Sequence, residues 1–153
     1  MVGTSGAMRV LEKTDSVEIP DGPRCYRADG SRFVVGCALS DGGNLVAWLR
    51  ETLRLPEPEE TERLLAEMKP HPHGLTFLPL LAGERGPGRA DVANGTVAGL
   101  SMSTMPAEML RAAMEAVALR FALIAEIIQA VFPGEKEVAA TGGAYSTLPP
   151  GPG

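Results

Sequence analysis

Cysteine is scarce in this sequence. Its 153 residues include two cysteines, Cys25 and Cys37, with no second pair to complete a metal cage. A disulfide-stapled secreted domain or a structural zinc site usually needs more of these residues. We therefore interpret both as reduced thiols, buried or half-buried in strands.

An excess of basic residues and a long apolar run are also missing. The chain has 14 lysines and arginines against 19 acidic residues, a formal net charge of −5. This balance disfavours nucleic-acid binding and a polybasic membrane surface. The most apolar stretch, 117–132, is interrupted by Arg120, Glu126 and Gln129, so a bilayer span of about 20 apolar residues does not fit. The first residues lack the pattern of a signal peptide, and we expect a cytoplasmic protein without nucleic-acid or membrane partners.

The composition suits one globular domain. Hydrophobic residues make up 44% of the chain and charged residues 22%. The 18 glycines and 13 prolines are about a fifth of the chain, below the roughly 25–30% typical of low-complexity disorder. A chain of this size buries roughly two-thirds of its surface on folding. We expect a single hydrophobic core.

Strands open the predicted order of elements. Apolar runs separated by turn residues predict strands at 7–12, 24–28 and 31–39. Asp29-Gly30 lies between the last two and is a hairpin signal. An antiparallel sheet is therefore expected here. Further strands are predicted at 75–81, 96–101 and 137–141.

Helical spacing begins after residue 40. Ser40 or Asp41 is predicted to cap the first helix, and Pro56 to end it. Two more helices are predicted at 58–68 and 106–132, the second being the longest element of the chain. The apolar positions expected to form buried stripes are Leu45, Trp48, Leu49 and Leu53 in the first helix, and Leu110, Met114, Val117, Phe121, Ile124, Ile128 and Val131 in the last.

Three turns combine glycine with small polar residues. They are Gly3-Thr4-Ser5-Gly6, Asp41-Gly42-Gly43-Asn44 and Thr141-Gly142-Gly143-Ala144. Glycine lets backbone N–H groups approach a phosphate without an intervening Cβ, and the second turn precedes a predicted helix N-terminus, which favours anions. Taken singly, each is explained as well by an ordinary tight turn or a helix cap.

Other polar residues give weaker signals. Glu84 and Arg85 lie in a glycine-rich loop, and a surface ion pair is the preferred interpretation over a site element. His71 and His73 follow prolines without nearby cysteines or clustered carboxylates, so a solvated linker is favoured over a metal site. The residues alone predict no catalytic group and no metal ligand.

The order of several motifs resembles one family. Gly95-Thr-Val-Ala-Gly99-Leu100, followed after seven residues by Glu108-Met-Leu-Arg-Ala-Ala-Met-Glu115, resembles the second signature of the FGGY carbohydrate kinases. Gly83-Glu-Arg-Gly-Pro87 is similar to another family segment. The turns at 3–6, 42–44 and 140–144 occur in family order, and the Asp41-Gly-Gly-Asn turn looks most like gluconokinases.

The resemblance implies the second lobe of a two-lobed, ATP-dependent sugar kinase. The expected fold is an α/β, actin-like (ribonuclease H-like) lobe with a mixed sheet and flanking helices, incomplete at both ends. Residues 1–146 would form this partial domain, and 147–153 a disordered Pro/Gly tail. ATP and Mg²⁺ are the implied cofactors. The implied nucleotide-binding residues are Gly3, Thr4, Ser5 and Gly6 at the β- and γ-phosphates, Gly43 at the start of its helix, and Gly142, Gly143 and Ala144 at the adenosine.

The departures from the family pattern set the expected activity. In the family, the catalytic aspartate and most sugar contacts precede the region that this sequence resembles. We therefore expect the isolated chain to be inactive, a fragment of a gluconate-phosphorylating enzyme, with xylulose and glycerol as alternative substrates. A non-catalytic nucleotide-binding or interaction module and one half of a split kinase stay open. An exposed cleft face predicts pairing with an N-terminal kinase lobe, or a homodimer.

Overall fold

The structure is a computed structural model that describes residues 3–69, 73–88 and 92–142. The described residues form five strands and three helices, in the order that the sequence patterns predict except for the strand predicted at 137–141. Their order is β1 (Gly6–Lys13), β2 (Arg24–Arg27), β3 (Arg32–Leu39), α1 (Gly43–Thr52), α2 (Pro58–Glu67), β4 (Thr76–Leu78), β5 (Thr96–Ala98) and α3 (Pro106–Val131).

The first three strands form one antiparallel sheet in the order β1-β3-β2. Asp29 shapes the hairpin between β2 and β3, because its Oδ1 accepts the backbone N–H groups of Ser31 and Arg32, each at 2.9 Å. The predicted hairpin is confirmed. β3 lies in the centre and β1 at an edge, with Gly6 opposite Leu39 at one end of their register.

The second sheet is smaller. β4 and β5 pair antiparallel over three residues each, with Phe77 opposite Val97. Both strands are shorter than the predicted runs. Gly99, which follows β5, has a positive φ of 87°, and a Cβ there would lie 2.3 Å from the carbonyl oxygen of Gly74. Glycine therefore allows the chain to turn closely against its neighbour.

The helices begin and end close to the predicted positions, but the first cap differs. The N-cap of α1 is Gly42, and no side chain caps that helix; the prediction of Ser40 or Asp41 is wrong because Asp41 uses its carboxylate elsewhere. α3 begins at Pro106, and Glu108 Oε2 accepts the backbone N–H of Met105 at 2.7 Å. No helix in the described ranges combines the length and apolar character needed to cross a membrane.

The core divides into two clusters along α3, whereas the composition predicts a single core. The first cluster joins α1, β4 and the N-terminal half of α3: Leu45, Leu49, Leu75, Phe77, Leu110, Ala112, Ala113 and Ala116. The second cluster joins the end of β3 and the C-terminal half of α3: Cys37, Leu39, Ile124 and Ile128.

Two predicted core residues lie at the surface. Trp48 is 43% exposed and Met114 is 44% exposed. The alanines of α3 explain the difference for Met114, since Ala112, Ala113 and Ala116 are buried and turn that side of the helix inward. Small side chains let neighbouring backbones approach closely, and an apolar spacing rule that favours large residues overlooks them.

One predicted strand is not observed. Residues 137–141 are described without regular structure and belong to neither sheet. Lys136 Nζ lies 3.2 Å from Glu12 Oε1, which holds the beginning of this segment beside the end of β1. A strand needs a partner about 4.8 Å away, and no strand pairing joins this segment to β1.

Candidate functional site

The turn at Gly3-Thr4-Ser5-Gly6 docks on the beginning of α1. The carbonyl oxygen of Gly3 accepts the N–H of Gly43 at 2.7 Å, and the carbonyl oxygen of Thr4 accepts the N–H of Asn44 at 3.0 Å. These bonds satisfy two donors that a helix N-terminus leaves unpaired. The structure thus brings together the first two of the three turns predicted to bind the nucleotide.

The same turn presents unused donors on its outer side. The backbone N–H groups of Thr4 and Ser5 donate to no acceptor among the described residues, and their hydroxyls make no hydrogen bond there either. Both residues are exposed. Successive backbone N–H groups at a turn, with the positive end of a helix dipole behind them, attract an anion.

The glycines of this region differ in what requires them. A Cβ at Gly6 would lie 2.5 Å from the Phe121 ring, and one at Gly43 would lie 2.6 Å from the Gly3 carbonyl oxygen. Packing within the chain therefore explains both. A Cβ at Gly3 would meet nothing within 4 Å, and this open space is where a polyanion has room to approach the backbone.

Asp41 fixes the turn at residues 41–44 by hydrogen bonds from its buried carboxylate. Its side chain is buried at 3% exposure. Oδ1 accepts the side-chain amide N–H of Asn44 at 2.8 Å, and Oδ2 accepts the backbone N–H of Ala82 at 3.1 Å. Asn44 Oδ1 in turn accepts the N–H of Gly42 at 2.7 Å. Asp41 therefore holds the start of α1 against the loop that follows β4.

Glu84 lies inside the protein and not at its surface, so the surface ion pair predicted for Glu84 and Arg85 is wrong. Glu84 is 4% exposed. Its Oε1 accepts the N–H of Gly86 at 2.9 Å, and Oε2 forms an ion pair with Arg120 of α3. The loop bends inward because the guanidinium compensates the buried charge.

Two arginines fasten this loop to the rest of the domain. Arg120 also donates to the carbonyl oxygens of Gly86 and Pro87, at 2.8 and 3.1 Å. Arg85 donates to the carbonyl oxygen of Leu39 at 3.0 Å, at the end of β3. The loop is thereby held beneath the residues that lead into the Asp41 turn.

Burial changes the acidity of two groups beside this loop. Burial lowers the pKa of the Arg120 guanidinium from its usual value, an effect that Cys37 partly opposes. Burial raises the pKa of the Cys37 thiol, and the positive charge of Arg120 partly opposes that rise. Cys37 therefore stays a protonated, apolar neighbour of the loop at neutral pH.

The His73 side chain is buried, contrary to the predicted solvated linker. It is 3% exposed, and its Nε2 lies 3.3 Å from Glu115 Oε2. Nδ1 accepts the backbone N–H of Leu75 at 3.0 Å, so Nε2 is the nitrogen that carries a proton toward Glu115. His71 lies outside the described residues. Within the described ranges, no group of three or more His, Cys, Asp or Glu side chains is placed to hold a metal ion.

The third predicted turn is described only at its beginning. Gly142 has a positive φ of 118°, a conformation that favours glycine. Gly143 and Ala144 lie outside the described residues. Ala140 lines the same groove as Ala7, the residue after the first turn, so residues bordering the first and third turns share one groove.

Sequence reasoning missed the roles of Asp41 and Arg120. Local sequence predicts Asp41 as a helix cap, whereas its observed contact with Ala82 joins positions 41 residues apart. The available signal for Arg120 is its position within the apolar stretch of α3, since a cation there needs a partner. No spacing rule identifies Glu84 as that partner.

The chain that forms this site matches a known protein family. Residues 1–148 match the family model described as the FGGY family of carbohydrate kinases, C-terminal domain. The chain is 32% identical to a gluconokinase of Bacillus subtilis over 127 residues, which cover 76% of this chain and 25% of that protein. It is 37% identical to a glycerol kinase of Aromatoleum aromaticum over 99 residues, 65% of this chain and 18% of that one.

Solved structures agree with the sequence comparison. A gluconate kinase from Lactobacillus acidophilus superposes with a TM-score of 0.70 at 30% identity, covering 83% of this chain and 26% of that chain. A xylulose kinase from Bifidobacterium adolescentis gives a TM-score of 0.77 at 20% identity, over 95% and 29% of the two chains. The chain has the actin-like fold of these sugar kinases and spans about a quarter of the relatives' length.

Proposed function

The chain belongs to the FGGY family of carbohydrate kinases as its C-terminal domain, and we propose that it is the nucleotide-binding lobe of an ATP-dependent sugar kinase. The Gly3–Gly6 turn holds the β- and γ-phosphates in this proposal, and Gly142, Gly143 and Ala144 lie against the adenosine. ATP supplies the phosphoryl group that the complete enzyme transfers to a sugar hydroxyl.

One observation carries the proposal: the N–H groups of Thr4 and Ser5 donate to no acceptor within the described part of the chain, while the turn that holds them is fixed to α1. Binding a phosphate there requires little rearrangement of the chain, which saves ordering entropy. The open space beside Gly3 supports the same location. Gly43 does not donate to the phosphates in this proposal, since its N–H is already bonded to the Gly3 carbonyl oxygen. We place it behind the phosphate-binding turn, where it holds that turn in position.

The proposed mechanism divides the work between two lobes. This chain positions the phosphates through backbone donors, hydroxyls and the dipole of α1. The base that accepts the sugar proton comes from the other lobe, as the family resemblance implies. Closure of the two lobes excludes water from the phosphoryl group during transfer. The isolated chain is therefore inactive in sugar phosphorylation.

Mg²⁺ is part of the proposal only through the nucleotide. The described residues include no cluster of metal-ligating side chains, and both carboxylate oxygens of Asp41 already accept hydrogen bonds. Mg²⁺ commonly binds through phosphates, waters and one or two carboxylates, so we assign no ligand for it in this lobe. A cytoplasmic location stays a prediction of the sequence.

Nuclear magnetic resonance titration of the ¹⁵N-labelled chain with Mg-ATP tests the nucleotide site. We expect the amide signals of Thr4 and Ser5 to shift, with a Kd on the order of 1 mM because only one wall of the cleft is present. Gly3→Val should abolish the shifts by filling the space at the turn. Gly30→Val is the matched control, since Gly30 also has nothing within 4 Å of its Cβ position. Shifts elsewhere only, or equal loss in both variants, contradict the proposal.

Gluconate is the proposed acceptor. The Asp41-Gly-Gly-Asn turn and the gluconokinase relatives support it, while the glycerol kinase and xylulose kinase relatives supply the competing acceptors. Co-expressing this chain with the N-terminal lobe of the Bacillus subtilis gluconokinase would test both lobe pairing and activity. We expect ATP-dependent phosphorylation of gluconate by the pair and by neither part alone. Turnover by the isolated chain, or none by a stable pair, contradicts the division of labour.

A further inference from the structure

Asp41 and Asn44 form a small hydrogen-bonded network at the beginning of α1. Asp41 Oδ1 accepts the side-chain amide N–H of Asn44, and Oδ2 accepts the backbone N–H of Ala82. Asn44 Oδ1 accepts the backbone N–H of Gly42. Three N–H groups thus meet three oxygens, and each N–H group has one oxygen to itself.

One end of this network lies against the turn at residues 3–6. The backbone N–H of Asn44 donates to the carbonyl oxygen of Thr4 at 3.0 Å. Gly42, whose N–H the Asn44 side chain accepts, touches the same turn, since a Cβ there would lie 3.0 Å from the carbonyl carbon of Ser5. The orientation of the Asn44 side chain therefore affects where the turn lies on α1.

The other end of the network is anchored to α3. Ala82 precedes Glu84 by two residues, and the ion pair of Glu84 with Arg120 fastens that loop to α3. With Oδ2 of Asp41 fixed by the Ala82 N–H, Oδ1 is the oxygen that faces Asn44. The loop thus determines how the Asp41 carboxylate is turned.

The buried charge of Asp41 has no cation beside it. Asp41 is 3% exposed, and among the described residues it forms no ion pair with a lysine, arginine or histidine. Two N–H donors and the positive end of the α1 dipole stabilise the carboxylate instead. What a carboxylate supplies here is two acceptor oxygens and no donor.

Two amides cannot complete the same network. With asparagine at both positions, the two side-chain oxygens are needed by the backbone N–H groups of Gly42 and Ala82, and the two NH₂ groups then face each other. Turning either amide over moves the conflict to a backbone N–H, and a buried donor without an acceptor is destabilising. Asparagine at position 41 with aspartate at position 44 satisfies every N–H group again, with one bond reversed. The geometry therefore requires one carboxylate and one amide.

We propose that Asp41 and Asn44 are positioning residues for the proposed nucleotide site. As a carboxylate–amide pair they hold the turn where Thr4 and Ser5 present their N–H groups to the phosphates. This proposal deepens the proposed function and rests on it for the identity of the ligand. Neither side chain contacts the nucleotide. The pair acts through the backbone bonds between α1 and the turn, and preorganising a site in this way strengthens binding.

Hydrogen exchange of the chain without nucleotide tests the hold on the turn. The amides of Gly43 and Asn44 are the reporters, because both donate to the turn. We expect Asp41→Asn to speed their exchange by at least about tenfold. Asn44→Asp should do the same, because two carboxylates then face each other, and it repeats the test if Asp41→Asn fails to fold. The double variant Asp41→Asn with Asn44→Asp should return exchange to within about threefold of the original chain.

Thr61→Val is the matched control. Thr61 is 2% exposed, and its Oγ1 donates to the carbonyl oxygen of Pro56 at 2.9 Å, so this variant also removes a buried hydrogen bond, at the beginning of α2. We expect it to lower the Tm as well, but to leave the exchange of the two reporter amides within about twofold.

Mg-ATP titration by nuclear magnetic resonance tests the consequence for the ligand. We expect Asp41→Asn to raise the Kd at least about fivefold, whereas the double variant and Thr61→Val keep it within about twofold. If the original chain shows no shifts at Thr4 and Ser5, the proposed nucleotide site is wrong. The exchange experiment then still decides whether the pair holds the turn, so the two failures are distinguishable.

Four results overturn the proposal. The first is unchanged exchange in Asp41→Asn, and the second is a double variant that exchanges as fast as the single variants. The third is an equal loss of protection in Thr61→Val, which assigns the effect to general stability. The fourth is an unchanged Kd in a variant whose turn exchanges faster, because the position of the turn would then not govern nucleotide binding.

Discussion

The two halves of α3 lie in different surroundings. The N-terminal half is enclosed by α1 and β4, and its alanines and Leu110 complete a cluster with Leu45 and Leu49. The C-terminal half packs beneath the three-stranded sheet through Ile124 and Ile128, while Ala118 and Ala125 face an open groove. The same helix thus contributes to an enclosed cluster at its N-terminal half and to a smaller cluster beside an open groove at its C-terminal half.

This difference shows which half of the described domain encloses more of its apolar side chains. The closed half buries eight residues in one cluster, although Trp48 and Met114 of the same half stay exposed. Among the described residues the open half has fewer buried side chains, and β1 lies at the end of its three-stranded sheet. Sheet edges are the usual places where other polypeptide segments attach.

The junction of the two halves should show the largest effect. Arg120→Met removes the partner of Glu84 and leaves a buried carboxylate uncompensated, so we expect a loss of about 3–5 kcal/mol in the free energy of unfolding. Urea denaturation measures it. If the loss in the free energy of unfolding is small, the Glu84–Arg120 ion pair does not hold the two halves together, and this explanation of their connection is wrong.

Two controls accompany that experiment. Arg63→Met removes an exposed arginine that contacts Glu60 and Glu67, and little change in stability is expected. The double variant Glu84→Gln with Arg120→Met removes both charges and should recover part of the loss, because no unpaired carboxylate remains. A double variant that is less stable than Arg120→Met contradicts the explanation.

Matched truncations compare the two clusters directly. Leu49→Ala in the closed half should cost about 3–4 kcal/mol, and Ile128→Ala beside the groove about 2 kcal/mol. The second cost is smaller because the space left by Ile128 opens toward the groove and can relax or hydrate. Denaturation midpoints of the two variants give the comparison. Equal costs would mean that the groove side is as tightly enclosed as the other half.

The reactivity of the two cysteine thiols tests how well the open half excludes solvent, and it is the smallest of the expected effects. Cys37 is buried and Cys25 is partly exposed, and burial raises the pKa of the Cys37 thiol. We expect iodoacetamide to modify Cys25 at least about ten times faster at pH 8. Mass spectrometry of tryptic peptides reads both rates. Faster labelling of Cys37 would show that the open half admits solvent to its core.

The same thiol predicts a pH dependence. Because its pKa is higher in the folded chain, the neutral thiol contributes stability that is fully present below its ordinary pKa of 9.0 and is lost as the pH rises through the raised value. Cys37→Ala should remove this alkaline decline. Thermal unfolding between pH 7 and pH 10 measures it, and an unchanged decline in the variant assigns it to other groups.

Sequence determined much of the local structure. Pro106 and the apolar spacing that follows it define α3, since proline fits a first helical turn and a 3.6-residue period needs one buried side. Asp29-Gly30 defines the hairpin by the same local logic. The family motifs likewise gave the FGGY family and its actin-like fold, because short motifs in a fixed order are written in the chain itself.

Tertiary structure decided what depends on distant partners. The burial of Glu84 requires Arg120, and the exposure of Trp48 and Met114 depends on which side the alanines of α3 turn inward. Residues 137–141 have a strand-like sequence but form no strand, since a strand exists only with a neighbour to bond. Local preference acts over a few residues, whereas charge compensation, close packing and strand pairing join positions that only folding brings together.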